Sequence, residues 1–146
     1  MTDEELGELL FSRYAYPCAW GRLVLGKIDQ DHFDCLTEHA KEGTAPNRQI
    51  LRYCYPHAFR RLREYAKTKG LIRWSKKTVA DFWHNAHGHH GDCRVIRCKV
   101  IAANNGEEAP LLSDGNRIFP AVNFFRLALF PDDRVFIHHR VIVEKE

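Results

Sequence analysis

Phe82-Trp83-His84-Asn85-Ala86-His87-Gly88-His89-His90-Gly91-Asp92-Cys93-Arg94-Val95-Ile96-Arg97-Cys98-Lys99-Val100-Ile101 is the stretch where the chain changes period. Before it, apolar residues return at intervals of three or four, which lines them up on one face of a helix; after it, β-branched residues gather between closely spaced turn signals, as in short strands. Between the two, residues 84–92 are polar and punctuated by Gly88 and Gly91, and they read as a junction. The expected class is therefore α+β, with a helical region over residues 1–90 and a small antiparallel, OB-like β-barrel over residues 91–146. Turn signals at Asn104-Asn105-Gly106, Ser113-Asp114-Gly115 and Pro131-Asp132-Asp133 divide the second part into four or five short strands. That leaves no room for crossover helices, which favours a small barrel over a parallel sheet.

In the first part, Thr2-x-x-Glu5 is a capping box, and Leu6, Leu9, Leu10 and Arg13 follow it at helical spacing. This helix is expected to end near Tyr14, because Pro17 in Tyr16-Pro17-Cys18 removes a backbone donor and restricts the residue before it. Trp20, Leu23, Val24 and Ile28 add apolar surface in a segment whose state the sequence leaves open. Further helices are expected over residues 31–41, stopped by Gly43, and over 47–54. Another is expected over 56–68, with proline at its first position and Gly70 at its end. Ser75 is a good cap for a last helix carrying Val79, Phe82, Trp83 and Ala86.

The 146 residues, 45% of them hydrophobic, are enough to bury a real core. No apolar run approaches the roughly 20 residues that span a bilayer, and Met1-Thr2-Asp3-Glu4-Glu5 is acidic where a secretory signal is basic, so a cytoplasmic protein is expected. Cys18, Cys35, Cys54, Cys93 and Cys98 are odd in number and scattered, which favours reduced thiols over a disulfide framework. The net charge of +3 hides an asymmetry: from Arg48 to Lys77 there are ten Lys or Arg and a single acid, Glu64. Arg60, Arg61, Arg63 and Lys67 form the basic face of an amphipathic helix. Such a face is ordinarily just solvated, and here it is also a candidate for binding an acidic partner.

Two sets of residues can carry metal chemistry. His84, His87, His89, His90 and Cys93 form the densest group of ligand types, with His84 and His87 at i, i+3; their spacing matches no standard zinc motif, and histidines flanked by glycine also occur in plain linkers. Cys93, which opens the first strand, and His138, in the last strand-like stretch, make a thiolate and imidazole pair suited to low-spin iron or zinc. The bland reading of that pair is a buried strand cysteine and an exposed strand histidine. Strand alternation puts His139 on the face opposite His138. Cys54-x-x-His57 has proline inside it and reads as packing, and Cys18, Cys35 and Cys98 read as small apolar fillers. Nothing supplies the orienting third residue or oxyanion motif of a Cys/His hydrolase.

The C-terminal third resembles the HypC/HupF hydrogenase maturation chaperones. Cys93 falls on that family's functional cysteine, Lys99-Val100-Ile101 on its Lys-Val-Val, and residues 122–129 on the segment before its Gly-Asp turn. Asp133-Arg134-Val135-Phe136-Ile137-His138 falls on its Asp-x-Val-x-Val-His, and Val143-Glu144-Lys145 on its end. The chain departs from the pattern in that Cys93 is internal, Arg97-Cys98 replaces the usual Pro-Gly, and Asp132 stands for the glycine of Gly-Asp. The resemblance implies a non-enzymatic accessory role. In that family role cysteine and histidine would hold an iron fragment bearing cyanide and carbon monoxide, and the partners would be a hydrogenase large subunit or hydrogenase assembly proteins; zinc is the other metal the donor types themselves suit. Two other readings stay open: a zinc-stabilised small domain whose basic helices bind nucleic acid, and a metal-free interaction module. The first lacks base-stacking aromatics beside the basic patch.

Overall fold

The computed structural model describes residues 1–87, 94–103 and 109–146, with helices up to His87 and strands from Val95, so the class is α+β. Helix α1 (Asp3–Ala15) opens on the expected capping box, in which Thr2 Oγ1 accepts from the Glu5 amide and Glu5 Oε2 accepts from the Thr2 amide. Helix α2 (Ala19–Val24) follows a 3-10 turn at Tyr16–Cys18, which settles the segment the sequence left open. Helices α3 (Gln30–Glu42), α4 (Arg48–Cys54) and α5 (Pro56–Lys69) come next, α3 capped by Asp29 and α4 by Asn47. Helix α6 (Lys76–Asp81), capped by Ser75, runs into a π-helical turn at Phe82–His87.

The helical core is aromatic. Phe11 meets Tyr55, Phe59, Trp74 and Trp83 edge-on, and Tyr14 stacks on Trp83 at 5.5 Å. Each such ring contributes several tenths of a kcal/mol from geometry beyond the roughly 1.5–3 kcal/mol of burying its surface. Gly7 lets α1 lie against the chain before α6. A Cβ there would sit 1.8 Å from the Trp74 carbonyl oxygen.

The strands β1 (Val95–Ala102), β2 (Leu111–Ser113), β3 (Ile118–Pro120), β4 (Arg134–His138) and β5 (Val141–Lys145) form one antiparallel sheet in the order β3-β2-β1-β4-β5. Cys98, Val100, Leu112, Val135, Ile137 and Ile142 are buried together as a second apolar core. Turns at residues 113–115 and 131–133 lie where the sequence signals put them, while the Asn104-Asn105-Gly106 hairpin lies outside the described residues. The sheet itself is not closed. One isolated parallel bridge, Val122 with Val141, ties the chain just beyond β3 to β5 through two backbone hydrogen bonds. No helix among the described residues is long and apolar enough to cross a membrane.

Sheet and helices share a core. Val143 of β5 is fully buried among the helical residues, and Val95, Phe136 and Val141 pack against the same cluster. A polar knot sits in this seam. The buried Tyr14 hydroxyl donates to Glu144 Oε1 at 2.5 Å, and His84 Nε2 donates to the same oxygen at 3.1 Å while its ring stacks on Phe136 at 3.9 Å. Burial pulls the Glu144 carboxyl upward, but the hydrogen bonds from His84 and Tyr14 outweigh it and hold it below its ordinary value of 4.5.

Two consequences are measurable by urea unfolding. Gly7→Ala forces backbone apart at the Trp74 carbonyl and is expected to cost at least about 3 kcal/mol. Glu144 has a folded pKa below its unfolded one, so its contribution is fully present above pH 4.5 and is lost as pH falls through the folded value. Glu144→Gln should therefore flatten the fall of stability below pH 4.5.

Candidate metal centre

His138 ends strand β4 and is completely buried. Its Nδ1 lies 2.5 Å from the Tyr14 carbonyl oxygen, so Nδ1 carries the hydrogen and donates it. That fixes the tautomer and leaves the lone pair on Nε2, the arrangement typical of a metal-binding histidine. Nε2 faces Cys18 Sγ at 3.5 Å. Metal–sulfur and metal–nitrogen bonds of about 2.3 and 2.0 Å, meeting at the tetrahedral angle, would set the two ligand atoms roughly 3.5 Å apart.

Cys18 is brought here by the break after α1, where the 3-10 turn Tyr16–Cys18 carries the chain across the end of the sheet. His139 is brought by a tight turn. Strands β4 and β5 are joined by His139 and Arg140 alone, with φ of 50° and 63°. Both residues are therefore in the left-handed region, which a two-residue hairpin of this twist requires and which Asn-Gly usually fills. The backbone strain of that conformation lays the His139 ring on His138, centroids 4.5 Å apart. Cys18, His138 and His139 each offer one ligand atom, and these atoms lie within 4.8 Å of one another.

The cluster opens on a cavity of about 500 Å³, whose wall includes Cys18 and His139 together with Arg22, Lys27, His57 and His87. Trp83 and Tyr55 close it from the core side. Inner and outer positions are both present, since His138 is sealed, Cys18 half-buried and His139 exposed.

Of the ligands expected from the sequence, His138 is in this cluster. Cys93, His89 and His90 lie outside the described residues. His84 is elsewhere, its Nε2 engaged by Glu144 and Tyr14. His87 lines the cavity but stacks on Phe82, with Arg61 Nη1 at 3.4 Å from its Nδ1. The basic face divides: Arg60, Arg63 and Lys67 are exposed, whereas Arg61 turns inward to His87 and the Ala86 carbonyl.

Two members were missed by sequence reasoning. His139 does not alternate with His138 across a strand, because it belongs to the turn; the paired positions His138 and Val141 leave only two residues between the strands. Cys18 stands on the cavity wall 3.5 Å from His138 Nε2, and its one local signal was the proline beside it. The filler reading does fit Cys98, and the packing reading Cys54; burial pushes both thiols up to about 11. No disulfide joins the described cysteines.

Compared with protein-family models, curated proteins and solved structures, the chain finds no match in any of the three.

The strained turn separates backbone from donor effects. His139→Gly and His139→Ala both remove an imidazole, but only glycine accepts φ of 50° without strain. In urea unfolding the glycine variant is expected to be more stable than the alanine variant by about 1 kcal/mol.

Proposed function

We propose that this protein is a non-enzymatic accessory factor that carries an iron or zinc centre on Cys18, His138 and His139 and presents it to a partner. The observation that carries this reading is the tetrahedral-edge separation of Cys18 Sγ and His138 Nε2, with the His138 tautomer fixed by the Tyr14 carbonyl. Thiolate with neutral imidazole is a soft-to-borderline donor set that favours these metals over magnesium or calcium.

The resemblance to the HypC/HupF chaperones supports the same reading and supplies the partner, a hydrogenase large subunit or a hydrogenase assembly protein. The stretch matching Asp-x-Val-x-Val-His is the strand that ends on His138. In this reading the five-stranded sheet is the counterpart of the family's small barrel, with the chain beyond β3 tied to β5 by the Val122–Val141 bridge. The helical region is a built-in part of the carrier, since it contributes the Cys18 thiol.

Anaerobic titration of the metal-free protein with Fe(II) or Zn(II) tests the proposal. The expected result is one equivalent bound, with protons released and affinity falling as pH is lowered, because the thiol must ionise to ligate. Cys18→Ser and His138→Gln should each weaken binding about 100-fold or more, since merely losing a group that orients a ligand costs about 10- to 100-fold. Absence of stoichiometric metal, or unchanged affinity in Cys18→Ser, would overturn it. Co-purification with a hydrogenase large subunit from a hydrogenase-producing host tests the partner.

A further inference from the structure

The cavity beside the centre has a charge pattern of its own. Among the described residues its wall carries the cations Arg22 and Lys27 and no carboxylate. Among the described residues, Arg22 Nε, Tyr55 Oη and Trp83 Nε1 are buried polar atoms with no hydrogen-bond partner, and all three residues line this cavity.

The donor set is open on the same side. Three protein ligands leave a tetrahedral metal one position short, as in sites that bind an exogenous ligand. Cys18 and His139 are cavity-wall residues, whereas His138 is buried behind them, so the vacant position faces the cavity. A divalent ion with one thiolate keeps a net positive charge, which adds to that of Arg22 and Lys27. Field and geometry then favour the same occupant, a small anion with one donor atom.

We propose that this cavity admits a small monoanion that takes the fourth position on the metal, with Arg22 and Lys27 as its counter-charges. The inference rests on the reading above that Cys18, His138 and His139 hold a metal. The ligand's donor atom bonds to the metal with both electrons of its lone pair; nothing is oxidised or reduced, and any water already on the metal leaves.

Cobalt(II) makes the site visible, and azide serves as the probe. The full-length protein loaded with one equivalent of Co(II) is expected to show a saturable change in its visible bands on azide titration. Arg22→Met and Lys27→Met should each weaken azide about fivefold with Co(II) stoichiometry unchanged. Neutral imidazole, titrated in the same way, should be insensitive to both substitutions. If no Co(II) binds, the carrier reading falls and this inference with it. If Co(II) binds at one equivalent but azide leaves the spectrum unchanged, the inference alone falls. It also falls if azide binds both variants as tightly as wild type, or if imidazole weakens in parallel with azide, because the cavity's charge would then not be selecting the ligand.

Discussion

Tyr14 is held at both of its polar ends, and the relation between helices and sheet depends on it. Its hydroxyl donates to Glu144 on β5, and its backbone carbonyl accepts from His138 at the end of β4. Between these two points the ring is stacked on Trp83, with no exposed surface. A half-buried carboxylate and a buried imidazole would each be costly without partners. Here a single residue of α1 partners both, so the sheet can sit on the helices in essentially one register. The same contact that docks the two halves also selects the tautomer of His138.

The candidate centre is consequently not an addition to the fold's surface. Its inner ligand is sealed in the seam between helices and sheet, and its thiol comes from the turn that immediately follows Tyr14. Cys54 and Cys98 show what an ordinary buried thiol looks like here, with burial as the main cause pushing the sulfur towards its neutral form. Cys18 differs in having an imidazole nitrogen at 3.5 Å and a cavity beside it. His139 is obtained at some cost in backbone strain, since the turn it occupies is one that glycine or asparagine would form more easily. Strain of this kind gathers at functional positions, where placement of a side chain outweighs local stability.

Much of the fold was legible because its signals are local. The capping box at Thr2, the serine cap at Ser75, and the glycine stops at Gly43 and Gly70 each act within a turn of the chain, and each is where the structure has it. The change of period between Trp83 and Val95 likewise separated helices from strands. His138 was legible as a candidate ligand through the resemblance of its stretch to Asp-x-Val-x-Val-His. The alternation argument failed one residue later, because it assumed a continuing strand where the chain reverses with no Asn-Gly signal to mark the turn.

From the sequence alone came the element types and most of their ends, the α+β class, and a histidine worth watching. Tertiary structure decided which thiol stands beside that histidine, which way its ring points, and that a cavity opens there. The physical reason is distance along the chain. Caps, turns and periodicity are interactions among residues a few positions apart, whereas Cys18 and His138 are 120 residues apart and Tyr14 and His138 are 124. No spacing rule spans such an interval, and only the packing of α1 against the sheet brings those atoms together.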